Sequence, residues 1–188
     1  MSLNAAILAP DELVKQCLDG NASAYRMLYE RYNKAMFNTA LRIVNKPADA
    51  EDILQDSFTD AFSQLSSFEN KSTFGAWLKQ IVIYKSINFL KRKRMDLVDM
   101  EMAGEIVDEN ETIDEAEIWY TVESIRNTML QMPDGYRTVL SLYLLEGYDH
   151  EEIAEILGVA QSTVRTQYIR AKQKLLKLLK QGEVYEQS

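Results

Sequence analysis

The sequence predicts an all-α protein: two small helical domains joined by an acidic flexible linker, the C-terminal domain containing a helix-turn-helix. Three observations lead there. Apolar residues recur at helical spacing over long stretches, and no alternating strand pattern competes with them. Breakers are scarce, with three prolines and seven glycines in 188 residues. Charge, finally, is placed very unevenly. The chain has 21 Lys and Arg against 29 Asp and Glu, a net charge of -8, yet ten of those carboxylates and no Lys or Arg fall between Asp96 and Glu117. The rest of the chain is slightly positive. A block of like charge resists compaction, so residues 96–117 read as a linker between domains at 10–95 and 118–180.

Composition excludes several classes of function. At 46% hydrophobic residues the chain can fill packed cores. No window approaches the roughly 18 to 20 apolar residues of a membrane span, and "MSLNAAILAPDELVKQ" has neither a basic n-region nor a cleavable h-region. A cytoplasmic protein without direct membrane insertion is expected. Cys17 has no second cysteine to bridge and His150 no second histidine to join it, so neither a metal nor a cofactor is expected.

The elements follow in order. "NASAYRMLYERYNKAMFNTALRIVNK" is one long amphipathic helix, ended where Pro47 can enter the first turn of the next. In that next helix Ala50, Ile53, Leu54, Ser57, Phe58, Ala61, Phe62 and Leu65 form an inward stripe. Its opposite face carries Asp49, Asp52, Gln55, Asp56 and Asp60. After "SSFENKS", the segment "TFGAWLKQIVIYKSINFLKRKR" sets Phe74, Trp77, Leu78 and Ile81 on one side and ends in Lys91, Arg92, Lys93 and Arg94. Cations suit a helix C-terminus. Four in succession, beside aromatics that could be exposed, also suit a nucleic-acid backbone whose bases stack.

Beyond the acidic block, "YDHEEIAEILGVAQSTVRTQYIRAK" has the anatomy of a helix-turn-helix. Asp149 with Glu152 forms a capping box, Ile153, Ala154 and Leu157 face inward, and Gly158 permits the tight turn. Val164, Tyr168, Ala171, Leu175 and Leu178 are the buried stripe of the helix that follows. Its outward arc holds Ser162, Thr166, Ile169, Arg170, Gln173 and Lys177, flanked by Thr163 and Arg165. Arg can fork onto guanine, hydroxyls fit several base edges, and apolar groups touch the thymine methyl. From Gly158 to Lys180 there are six Lys or Arg and no Asp or Glu. An ordinary exposed helix mixes both signs, whereas phosphates repel acids.

The order "PADAEDILQDSF", "FGAWLKQIV", an acidic spacer and "MLQMPDGYRTVLSLYLLEGYDHEEIAEILGVAQSTVRTQYIRAKQKL" resembles the extracytoplasmic-function group of sigma factors, within the bacterial sigma-70 family. The resemblance covers nearly the whole chain. It implies a sigma factor that binds core RNA polymerase and directs promoter-specific initiation, reading the minus-ten and minus-thirty-five elements and aiding duplex melting. By the same resemblance residues 10–95 are region 2 and residues 118–180 region 4. Asp49, Asp52, Gln55, Asp56 and Phe58 would contact the clamp helices of the polymerase's largest subunit. Phe68, Asn70, Lys71, Phe74, Trp77, Tyr84, Asn88, Lys91, Arg92 and Arg94 would serve the minus-ten element, and Ser162, Thr163, Arg165, Thr166, Ile169, Arg170 and Lys177 the minus-thirty-five element. Two residues depart from the common pattern: Tyr84 stands where many members have Asn, and Ala160 replaces the usual Ser or Pro before the recognition helix. Many relatives are held inactive by a membrane-anchored anti-sigma factor, and the resemblance admits such a partner. The implied protein is no enzyme, since catalysis stays with the polymerase.

Two other readings compete. A stand-alone helix-turn-helix repressor would need a first domain that senses a ligand or dimerises, and a helical interaction adaptor would need no DNA. Nothing between Asp49 and Arg94 resembles a ligand pocket. Direct, DNA-independent binding to core polymerase through residues 49–58 separates the sigma factor from both.

Overall fold

Every regular element among the described residues is helical, as the periodicity predicts. The computed structural model describes residues 8–69, 71–98 and 121–186, the backbone alone over 94–98 and 182–186. Of the acidic block expected at 96–117, Asp96 to Val98 belong to the last turn of a helix, which corrects the start of the linker, and Asp99 to Glu117 lie outside the described residues. The chain divides into two compact units, 1–90 and 91–188.

The first unit opens with a helix that the sequence reading did not assign, α1 (Pro10–Leu18). Pro10 fixes φ in its first turn, Asp11 and Glu12 favour its dipole, and Leu13, Val14 and Cys17 are buried. Gly20, at φ 86°, turns the chain, and the Asn21 side chain then caps α2 (Ala22–Val44) by accepting from the Ser23 N–H at 3.0 Å. Asn45, in the left-handed region at φ 58°, ends α2 with its N–H on the Leu41 carbonyl.

Pro47 starts α3 (Pro47–Ser63), whose stripe of Ala50, Ile53, Leu54, Ser57, Phe58 and Ala61 is buried against the core. The buried Ser57 hydroxyl is satisfied by donating to the Ile53 carbonyl at 2.6 Å. A 3-10 turn, Leu65–Ser67, leads to α4 (Phe74–Val98), where Thr73 Oγ1 accepts from the Ala76 N–H at 3.2 Å. The buried stripe of α4 is Phe74, Leu78, Val82, Ile83, Ser86 and Ile87, which leaves Trp77 and Ile81 half-buried at its margin. Gly75 sits where α4 approaches α2, because a Cβ there would stand 2.7 Å from Cε1 of Tyr32.

In the second unit Thr121 caps α5 (Val122–Leu130), accepting from the Ser124 N–H at 3.1 Å. Then come α6 (Asp134–Leu140), a π-turn over Ser141–Leu145, α7 (His150–Leu157) and α8 (Gln161–Glu186). The long α8 is the spine, with α5, α6 and α7 all packing on it. Its Ala171, Leu175 and Leu179 meet Met129, Met132 and Leu140 in one apolar cluster. Arg137 is buried beside it at 1% exposure, its guanidinium donating to the Met132 carbonyl at 2.8 Å and to the Asp134 carboxylate. These acceptors offset the cost of taking a cation out of water.

Candidate functional site

Three surfaces carry the expected residues, and the helix-turn-helix is the best defined. Asp149 Oδ1 accepts from the N–H groups of Glu151 and Glu152 at 2.8 and 2.9 Å, while Glu152 Oε2 accepts from the Asp149 N–H at 2.8 Å. The predicted capping box is therefore formed. At the other end of α7, Gly158 takes φ 69°, with its N–H and that of Val159 returning to Glu155 and Ala154. This Schellman arrangement sets where the chain re-enters α8. Ala160 has no side-chain acceptor to offer there; its carbonyl takes the N–H groups of Thr163 and Val164 at 3.0 and 3.2 Å.

On α8 the inward positions Val164, Ala171 and Leu175 are buried, so the opposite arc is turned outward. Ser162, Thr163, Arg165, Thr166, Ile169, Arg170, Gln173 and Lys177 are all exposed along it. The Thr166 hydroxyl donates to the Ser162 carbonyl at 3.0 Å, which leaves its oxygen facing outward as an acceptor.

The acidic surface lies on α3. Asp52, Gln55 and Asp56 are exposed and Asp49 is half-buried beside them. Asp60, read as part of the same face, is held by Lys85 of α4 at 2.6 Å, so its charge is locally matched. Phe58 corrects the expectation that it makes a surface contact. It is 3% exposed, with its ring 4.8 Å from Tyr29 and 5.5 Å from Phe62. Its place on the α3 stripe decides this, and it supports the acidic face from beneath.

The third surface is on α4 and the turn before it. Phe68 and Phe74 are buried, which corrects their reading as groups available to bases. They form an aromatic cluster instead, with Phe68 5.0 Å from Trp77, Phe74 5.9 Å from Trp77, and Tyr32 of α2 closing on Phe74 at 5.5 Å. The aromatic stripe that could have faced bases is what ties α4 to α2. Trp77 is half-buried, Tyr84 is 44% exposed, and Asn88, Lys91, Arg92 and Lys71 are exposed. Lys71 pairs with Glu69. Asn70 and the Arg94 side chain lie outside the described residues. Gln80 is exposed too and shares a helix face with Trp77, Tyr84 and Asn88, a spacing of three and four that is visible in the sequence.

Comparison with known proteins gives this arrangement a family. The sigma-70 region 2 model matches residues 28–95, and the sigma-70, region 4 model matches residues 123–175. The sigma factor YlaC of Bacillus subtilis is 31% identical over 159 residues, 80% of this chain and 88% of YlaC. The ECF sigma factor SigW of the same organism is 28% identical over 177 residues, 89% of this chain and 95% of SigW. Among solved structures, sigma factor RpoE in its complex with the anti-sigma factor NepR from Bartonella quintana superposes with a TM-score of 0.55, at 23% identity over 83% of this chain and 96% of that one. CnrH in complex with the cytosolic domain of CnrY gives 0.54, at 24% identity over 91% and 97%. These two establish a shared fold.

The chain belongs to the sigma-70 family, in its extracytoplasmic-function group. It is thus a transcription initiation factor of the kind that binds core polymerase and gives it promoter specificity, region 2 serving the minus-ten and region 4 the minus-thirty-five element. No described helix is long and apolar enough to cross a membrane.

Proposed function

We propose that three surfaces divide the work of initiation among named residues. Asp49, Asp52, Gln55 and Asp56 dock on the clamp helices of the polymerase's largest subunit. Trp77, Gln80, Tyr84, Asn88, Lys91 and Arg92 receive the minus-ten element, with the basic side chains on phosphates and the exposed Tyr84 ring against an unstacked base. The outward arc of α8 enters the major groove of the minus-thirty-five element. Residues 10–95 and 118–180 act as the two promoter-binding domains and 96–117 as the connection. The protein works in the cytoplasm and performs no catalysis of its own. RpoE and CnrH were each solved with a partner, NepR or the cytosolic domain of CnrY, and an anti-sigma partner for this chain is a reading of the same kind.

One observation carries the proposal. Opposite charges are sorted onto separate exposed helix faces, carboxylates on α3 and a carboxylate-free arc on α8, each above an intact buried stripe. The test is run-off transcription with purified core polymerase and the double variant Asp52→Lys, Asp56→Lys. Both positions are exposed, so helix content should stay at wild-type level while core binding and run-off product are lost. Unchanged affinity for core would remove the docking role from α3.

A further inference from the structure

We infer that the ion pair of Asp60 with Lys85 is a latch between the two working faces of the first unit, an inference that rests on α3 docking on core and α4 receiving DNA. In the free protein Asp60 keeps Lys85 from DNA; docking on core polymerase releases Lys85 to a phosphate of the minus-ten strand. Lys85 Nζ lies 2.6 Å from Asp60 Oδ2 and joins the middle of α4 to the last turn of α3. Each partner stands at the edge of one surface. α3 carries five carboxylates, Asp49, Glu51, Asp52, Asp56 and Asp60, and no Lys or Arg. Asp60 follows Asp56 by four residues and so shares its side of the helix. Lys85 comes directly after the exposed Tyr84 and three residues before the exposed Asn88. The pair therefore sits where the acidic face and the base-receiving face meet.

Its exposure suits exchange better than bracing. The Lys85 and Asp60 side chains are 28% and 44% exposed, and an ion pair so open to water adds little to the fold. The packing of α4 is already secured by its buried stripe and by the aromatic contacts among Tyr32, Phe68, Phe74 and Trp77. A lysine ammonium is a point charge on a flexible stem, so it can leave a carboxylate for a phosphate by turning its own side chain while α4 stays in place. In the free protein Asp60 is tethered beside it and outcompetes a phosphate that must arrive from solution. A partner that covers the α3 face with cations takes Asp60 together with Asp56 and loosens its hold on Lys85. The effect is reciprocal: a phosphate that draws Lys85 away leaves Asp60 free for core.

The test uses the full chain, free and assembled with saturating core polymerase. The probe is a fluorescein-labelled single strand carrying the minus-ten element of a promoter that wild-type holoenzyme selects from a random-sequence pool. Asp60→Asn removes the charge that holds Lys85 and keeps the side chain's size. As free protein at low salt it should bind the strand about two- to fivefold more tightly than wild type, the worth of one exposed ion pair. Its salt dependence should steepen by about 0.7 in log-log slope, one further phosphate contact on a single strand. Both changes should vanish in the double variant Asp60→Asn, Lys85→Gln. In the holoenzyme Asp60→Asn should match wild type, whereas Lys85→Gln should flatten the slope by about 0.7. A pair that only braces the fold predicts the opposite sign, with Asp60→Asn binding the strand more weakly. The latch is overturned if Asp60→Asn fails to tighten binding by the free protein, if the gain survives in the double variant, or if Lys85→Gln leaves the holoenzyme slope unchanged. Loss of the docking role of α3 is read separately, from the core affinity of Asp52→Lys, Asp56→Lys protein, and would remove the latch's trigger.

Discussion

Cys17 shows how burial sets the chemistry of one side chain. It sits in α1 at 1% exposure, and burial pushes its thiol up from the ordinary 9.0 to about 11. The folded state thus disfavours the thiolate. The stabilisation from keeping the thiol neutral is complete below pH 9 and is lost as pH rises through 11, a change of up to about 2 to 3 kcal/mol. Urea midpoints should therefore fall more steeply from pH 9 to 11 for wild type than for Cys17→Ala; parallel curves would show that other groups set the alkaline limit. Gly75 poses a contest of signs. In an open helix Gly→Ala is worth about 1 kcal/mol of added stability, but here the new Cβ would meet the Tyr32 ring at 2.7 Å. That ring is half-buried and packed on Phe74, so it yields little, and Gly75→Ala should lower stability by about 1 to 2 kcal/mol. Adding Tyr32→Leu should recover part of the loss. Side chains with two plausible environments were the hardest to place from sequence. Phe58 belongs to both an apolar stripe and an acidic helix, and Arg137 is polar by type yet buried, because its acceptors depend on a turn at Met132 that periodicity does not describe.

At the scale of the element, α8 is the clearest case of a helix whose two faces are legible in the sequence. Alternation between Val164, Ala171 and Leu175 on one side and hydroxyl or basic residues on the other fixes orientation, since only one face can be buried. The caps of α7 were legible for the same reason: a capping box and a left-handed glycine are local chemistry. Three features were not. α1 is only nine residues long and gives a weak periodic signal. The π-turn at Ser141–Leu145 has no residue signature; it is a register change that lets Glu146 and Tyr148 bond back to Ser141 and Leu142 at 3.0 Å. The α4 stripe was read a fraction of a turn away from its true centre, and the aromatics near Phe74 changed from candidate base contacts to core. Along α8 the reading makes a sharp distinction. Arg170→Ala should relax discrimination at one base pair of the upstream element by about 1 to 3 kcal/mol, whereas Lys177→Ala should weaken all sequences about equally and flatten the salt dependence. Binding isotherms against matched and single-mismatch duplexes at several salt concentrations separate the two; identical behaviour would erase the division between base reading and phosphate positioning.

For the whole molecule the governing quantity is where charge is kept. A protein of net charge -8 that must approach a polyanion can do so only if its carboxylates are held away from the contact surfaces. Here Gly158 to Lys180 excludes them, α3 gathers a set on one face, and ten fall between Asp96 and Glu117. That last set is covalently joined to both promoter-binding regions, so its local concentration is high whatever the protein concentration. It should compete with DNA for the same cations until core polymerase is bound. Replacing the ten carboxylates by Asn or Gln should therefore strengthen DNA binding by the free protein, most of all at low salt, where screening is least. The gain should shrink as salt is raised and should be smaller in Arg165→Ala, Arg170→Ala, Lys177→Ala protein, which has lost three of the six cations between Gly158 and Lys180. Fluorescence anisotropy with a promoter duplex measures both. Equal affinity of the wild-type and neutral-segment proteins at low ionic strength would show that the acidic block does not shield the DNA-binding surfaces.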